Sequence, residues 1–251
     1  MSKIISIHSF RGGTGKSNTS ANLSTLLAMD GKRVCVVDTD INSPGIHVLL
    51  GLKDENITNT LNDYLYGKCE ISQAAYDVSD LVSPGMKGKL FLCPSSMKTG
   101  EIARVLKEGY DVGMLNEGFH SLIDDLRLDA LVIDTHPGLN EETLLSIAIS
   151  DALLIVMRPD TQDFQGTAVT VEVARKLDVP RMLLVVNKTP TVLNFDDVKD
   201  RVEKTYNCTV AAVLPHSDEL MILASDGVFV AKYPNHQITQ KMRNVAKMLM
   251  D

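Results

Sequence analysis

Seven short, almost wholly apolar runs recur along the chain: Ile4–His8, Val34–Asp38, Leu90–Cys93, Ala130–Asp134, Leu153–Met157, Met182–Asn187 and Val210–Leu214. A strand with one wet face alternates apolar and polar residues, so runs without alternation belong to strands buried on both faces. The segments between them carry a helical period. Leu23, Leu26 and Leu27 share one face, and Val198, Val202 and Tyr206 line another at steps of four. Strands that alternate with helices pair in parallel, with helices on both sides of the sheet. No repeat, low-complexity tract or linker interrupts the pattern. The expected fold is therefore α/β: one doubly wound domain over residues 1–251 with a mostly parallel sheet.

Composition excludes several classes. Apolar residues make up 44% of the chain and charged residues 23%, which is globular usage rather than disorder. The net charge of −7 gives no global attraction to nucleic acid or anionic lipid, though local basic patches remain open. No apolar run approaches the roughly 20 residues that span a bilayer. The N-terminus MSKIISIHSF reads as a first strand rather than a signal peptide. Cys35, Cys69, Cys93 and Cys208 contain no C-x-x-C pair, so they point to neither a zinc site nor a disulfide framework. Reduced thiols in a cytoplasmic protein are expected.

In open α/β sheets ligands bind beyond the carboxyl ends of the strands. Five of the runs are followed there by polar, glycine- or proline-rich residues. After the first comes Ser9-Phe10-Arg11-Gly12-Gly13-Thr14-Gly15-Lys16-Ser17. Gly12, Gly13 and Gly15 permit a tight loop whose N–H groups surround a phosphate, and the helix opening near Gly15 adds its positive end. Lys16 supplies an ammonium for the β- and γ-phosphates, and the Ser17 hydroxyl suits Mg²⁺. The expected nucleotide-binding stretch runs from Arg11 through Thr14 to Asn18, with ATP/ADP and Mg²⁺ as its ligands. The second run ends in Asp38 and Asp40, the fourth in Asp134-Thr135-His136-Pro137-Gly138, the sixth in Asn187-Lys188 and the last in Pro215-His216-Ser217-Asp218.

The usual phosphate-loop pattern has a glycine where this chain has Phe10. The sequence R-G-G-T-G-K-S instead resembles the deviant loop K-G-G-x-G-K-[ST] of the ParA/MinD family of P-loop ATPases. V-C-V-V-D-T-D at 34–40, L-V-I-D-T-H-P-G at 131–138, V-V-N-K at 185–188 and F-V-A-K-Y-P-N-H-Q-I-T-Q at 229–240 resemble that family's later motifs in order and spacing. The resemblance implies a P-loop NTPase fold of the SIMIBI type. It assigns Asp40 to orient the attacking water, Asp38 to the metal's outer surroundings and Asp134 to Mg²⁺ through water. Asn187 is implied to bond the adenine, with Pro215 in the loop that closes over the base. Lys16, Asp40 and Arg11 form the implied catalytic set. In the family a lysine at position 11 reaches across a nucleotide-sandwiched dimer; Arg11 keeps charge and reach but presents a planar fork. It either acts in trans or binds a carboxylate of its own subunit.

The resemblance further implies an ATP-dependent homodimer and a slow, Mg²⁺-dependent ATPase. An adaptor protein would stimulate hydrolysis and release the dimer from a nucleoid or membrane surface. As the surface, non-specific DNA is favoured over membrane: the apolar stripe Ile238, Met242, Val245 and Leu249 reads as a packed helix, and Lys241, Arg243 and Lys247 offer a basic face. Two alternatives stand beside this reading. A metallochaperone or reductase like the Mrp carriers and the nitrogenase iron protein would need cysteines that are absent between Pro137 and Ser150. A P-loop small-molecule ligase would need an added substrate-binding segment, and none is visible.

Overall fold

A computed structural model describes residues 2–251. The strands are β1 (Lys3–His8), β2 (Arg33–Asp38), β3 (Tyr76–Asp77), β4 (Lys89–Cys93), β5 (Ala130–Asp134), β6 (Ala152–Met157), β7 (Met182–Thr189) and β8 (Thr209–Pro215). They form one sheet in the order β3-β4-β2-β5-β1-β6-β7-β8, in which only β3 runs antiparallel. All seven expected strands are present. The added β3 pairs two residues with the β4 edge, too short a run to carry any periodicity. β1 lies near the middle, and the chain builds first to one side of it and then to the other. The loops at the carboxyl ends of β5, β1 and β6 therefore border the crevice where the winding reverses.

Alternate strand residues feed opposite layers. Ile5, Ile7, Val34, Val36 and Val132 join the core beneath α1 (Lys16–Met29) and the C-terminal helix Gln237–Met250. Ile4, Cys35, Val37, Leu131 and Ile133 join the core beneath the helix Gly113–Leu126. Leu153, Ile155 and Leu184 pack under the helices Thr161–Lys176 and Phe195–Tyr206. The helices thus cover both faces of the sheet, as the sequence requires.

α1 departs from the amphipathic expectation. Leu23, Leu26 and Leu27 are buried, but so are Thr19, Ser20, Ser24 and Thr25 on its other sides. It is enclosed by the sheet, the C-terminal helix and the Phe229–Lys232 turn, and Val230 N donates to Asn22 Oδ1 at 2.9 Å. The small side chains let it sit in so close a sheath, and each buried leucine contributes about 2 kcal/mol. Thr19 and Ser20 bond back to Gly15 O and Lys16 O, while the buried hydroxyls of Ser24 and Thr25 have no partner among the described residues. The C-terminal helix buries Ile238, Met242, Val245 and Leu249, as its stripe predicts. Two of its three cations are engaged within the chain. Lys241 Nζ donates to Val213 O at 2.8 Å, and Arg243 Nη1 lies 2.7 Å from Asp30 Oδ1. No helix among the described residues is long and apolar enough to cross a membrane.

Candidate nucleotide site

The loop Ser9–Gly15 leaves β1 and enters α1. Gly13 (φ 79°) and Gly15 (φ 95°) occupy the left-handed region that side-chain-bearing residues avoid. A Cβ on Gly15 would also lie 2.5 Å from Asn187 Nδ2. Phe10, in the place of the usual glycine, packs its ring on Gly166 of the helix Thr161–Lys176, where a Cβ would come within 2.2 Å of the ring. From behind, Asn187 Nδ2 donates to Thr14 O and Lys188 Nζ to Gly13 O, both at 2.8 Å. β7 thus satisfies the Gly13 and Thr14 carbonyls of the loop. The first amides of α1 have no partner within the helix and are the groups left for an anion.

Charge gathers where β2 meets β5. These neighbours pair in parallel with Asp38 opposite Asp134. Lys16, almost wholly buried, places Nζ 2.9 Å from Asp134 Oδ1, and Ser20 Oγ donates to the same oxygen at 2.7 Å. Asp134 Oδ2 is buried and has no partner among the described residues. Asp38 accepts from Asp40 N at 3.1 Å and Gly45 N at 3.2 Å. Burial, and then the Asp134 charge, pushes its carboxyl up to about 8 against the opposing pull of Lys16. Asp40 Oδ1 accepts from His136 Nδ1 at 2.7 Å. At the end of β1, the Thr135 hydroxyl donates to Ile7 O at 3.1 Å, so the 2.8 Å contact between His8 Nδ1 and Thr135 Oγ1 has the imidazole as donor. Burial, aided by Lys16 and His136, lowers the His8 pKa to about 3.

Ser9, the stretch Gly12–Asn18, Asp40, Ser43, His136 and Pro137 line one open cleft of 460 Å³. A second cleft of 270 Å³ adjoins it, walled by Asn187, Pro215, His216, Met221 and Ala224. Gly15, Asn18 and Lys188 border both. The structure therefore brings Gly12 to Asn18, Asp40, Asn187 and Pro215 to one continuous groove, with Asp134 buried behind Lys16 and Asp38 buried opposite it on β2.

Arg11 points elsewhere. Its Nη1 lies 3.7 Å from Asp163 Oδ1 and 3.9 Å from Asp160 Oδ1, carboxylates of its own chain that Arg158 Nε also approaches at 3.2 Å. Of the two readings open for Arg11, the single chain displays the second. Lys188 and the bond from His136 to Asp40 escaped sequence reasoning. Lys188 touches Gly13 across 175 residues, and the histidine's partner emerges only from strand register.

A family model described as an AAA domain matches residues 2–182. Over the whole chain the protein is 28% identical to an uncharacterized ATP-binding protein of Methanocaldococcus jannaschii, covering 88% of that relative. It is also 26% identical to the septum site-determining protein MinD of Bacillus subtilis, covering the whole of this chain and 90% of that one. The fold matches a MinD structure from Pyrococcus horikoshii complexed with Mg-ADP at a TM-score of 0.81 and 23% identity, over 99% of this chain and 96% of the other. With a family model matching most of the chain and these likenesses running over its whole length, the chain belongs to the AAA-domain family and, within it, to the ParA/MinD group of P-loop ATPases.

Proposed function

We propose that this chain is a slow, Mg²⁺-dependent ATPase switch that dimerises around ATP to position a cellular cargo. The observation that carries the reading is a deficit of positive charge at the phosphate loop. Asp38, Asp40 and Asp134 lie close together, and Lys16 pairs with Asp134 alone. Asp134 Oδ2 has no partner among the described residues, and burial and the Asp134 charge raise the Asp38 carboxyl to about 8. A divalent cation fits that deficit. Ser17 and, through water, Asp134 would hold Mg²⁺, with Asp38 farther out; the ion supplies charge neutralisation on the β- and γ-phosphates.

Lys16, buried against Asp134, stands at the mouth of the loop to meet the phosphates once their charge enters. The α1 amides orient them. Asn187 has one amide hydrogen and an oxygen lone pair left after bonding Thr14 O and Lys188 N, enough to pair with an adenine edge beneath the Pro215 loop. Asp40 orients the attacking water. Arg11, loosely held at 3.7 Å or more and half-exposed, swings to the partner subunit's phosphates when the dimer closes.

The septum-site role named for the Bacillus subtilis relative supports a positioning function. Non-specific DNA is preferred to membrane as the surface, because the helix that would have to insert is packed into the core. With Lys241 and Arg243 engaged internally, the DNA face must draw on Lys247 and cations elsewhere. An adaptor protein supplies the stimulation. Light scattering of Asp40→Ala with ADP and with ATP tests the switch, followed by DNA-shift and liposome-pelleting assays. Doubling of mass with ATP alone, and a DNA shift by that species, is expected. A monomer under all conditions, or unstimulated wild-type turnover near 10 s⁻¹, on the order of an ordinary metabolic enzyme, refutes it.

A further inference from the structure

A 2.7 Å contact at the groove joins Asp40 to His136, and the sheet register explains why. Asp38 and Asp134 stand opposite each other on β2 and β5. Asp40 and His136 each lie two residues farther along, so the two strand exits deliver them side by side over the phosphate cleft. The histidine's backbone is pinned on both sides. Thr135 N donates to Ile7 O at 3.3 Å, Gly138 N to Ser9 O at 3.2 Å, and Thr143 Oγ1 to His136 O at 3.4 Å. Asp40 is fixed from below by the bond from its N–H to Asp38. A carboxylate can only accept, so His136 Nδ1 carries the proton and donates to Oδ1 at 2.7 Å. The other Asp40 oxygen has no protein partner among the described residues.

We propose that His136 is the positioning residue for Asp40: it holds one carboxylate oxygen so that the other faces the water that attacks the γ-phosphate. The inference rests on the ATPase reading above and on the role given there to Asp40. A free aspartate turns about two side-chain bonds, and only a fraction of its rotamers presents an oxygen to a given water. One charge-assisted bond from a rigid backbone removes that freedom. The histidine touches no phosphate in this account; it acts through Asp40.

The test is ATP turnover and fluorescent-ATP binding by the full chain in wild type, His136→Leu, His136→Asn and Asp40→Ala, with His136→Leu repeated in the Asp40→Ala background. Thermal melting confirms that each variant is folded. His136→Leu should lower kcat about tenfold, at the low end of what misplacing a catalytic group costs, with KM and ATP affinity within about twofold. His136→Asn, whose amide N–H can take the place of Nδ1–H, should recover most of the loss. In the Asp40→Ala background the leucine should cost nothing further. Unchanged or raised turnover in His136→Leu, an equal loss in both backgrounds, or loss of affinity in step with kcat overturns the proposal. If Asp40→Ala itself turns over normally, the role of Asp40 falls first and the inference falls with it. If Asp40→Ala is impaired while His136→Leu is not, the site stands and only the inference fails.

Discussion

Where β2 and β5 end, the wall of the groove is made of charges that hold one another; where β7 and β8 end, apolar side chains such as Leu220 and the exposed Met221 share it with Asn187, His216 and Ser217. Lys16 is paired with Asp134, Asp40 with His136, and Asp38 is held by two backbone amides. On the other side Met221, on the short helix Asp218–Leu223, lines the second cleft and is 62% exposed. The half proposed for the phosphates is preorganised, and a ligand entering it exchanges one set of ionic partners for another. The half proposed for the base gains when a ligand covers apolar surface. A buried charge that loses its partner is expensive, whereas an uncovered methionine costs little, so the two halves should respond to mutation on different scales.

The largest effect is expected from Lys16→Ala. It should weaken ATP binding by more than about a hundredfold in titration calorimetry, since the buried cation proposed to meet the phosphates is lost. It should also destabilise the free protein by about 3 kcal/mol in urea melts, because Asp134 is left buried and unpaired. Asp134→Asn in the same background should restore much of that stability but not the binding. If Lys16→Ala is as stable as wild type, the phosphate half is not held by its charges.

Next comes Asp40→Ala. Turnover should fall about a hundredfold, in the range for a general-base or positioning group, while ATP affinity is kept. Normal hydrolysis would remove Asp40 from its role.

A third effect follows from His8. Its folded pKa is lowered to about 3 from an unfolded value near 6.5, so between those limits the unfolded chain binds a proton that the folded one refuses. Stability should fall as pH drops below 6.5, at up to roughly 1.4 kcal/mol per unit for this group. His8→Asn should therefore show a shallower acid slope than wild type. Equal slopes between pH 6.5 and 5 would mean that the buried imidazole is already charged.

The smallest effects belong to the base half. Asn187→Ala should weaken ATP about tenfold, the value of one or two lost hydrogen bonds, and reduce discrimination against GTP. Met221→Ser should cost about threefold. A Met221 variant as damaged as Lys16→Ala would erase the contrast between the two halves.

Much of this was legible in the sequence, for a physical reason. Strands buried on both faces must be apolar throughout, so their ends fall within a residue or two of where composition changes, as at Ala130–Asp134. A phosphate loop needs glycine at positive φ, and Gly13 and Gly15 announce it. Pairings set by tertiary approach were not legible. Nothing local tells that Arg11 will face Asp163, that Phe10 will seat on Gly166, or that Lys188 will reach Gly13 with its own backbone at φ 53°. The segment between β2 and β4 gave little, because its helices are four or five residues long and too short to show a period.

The enclosure of α1 has a consequence for how long the protein survives. A helix buried on every side opens only when the whole domain opens, so its amides should be among the last to exchange with deuterated solvent. The phosphate loop hands nucleotide to the first turn of that helix. Occupancy should therefore retard global unfolding rather than merely quiet a surface loop. By mass action, nucleotide at a hundred times its dissociation constant adds about 2.7 kcal/mol. Protease resistance and half-life would then rise and fall with nucleotide supply, making the lifetime of the chain a readout of its occupancy.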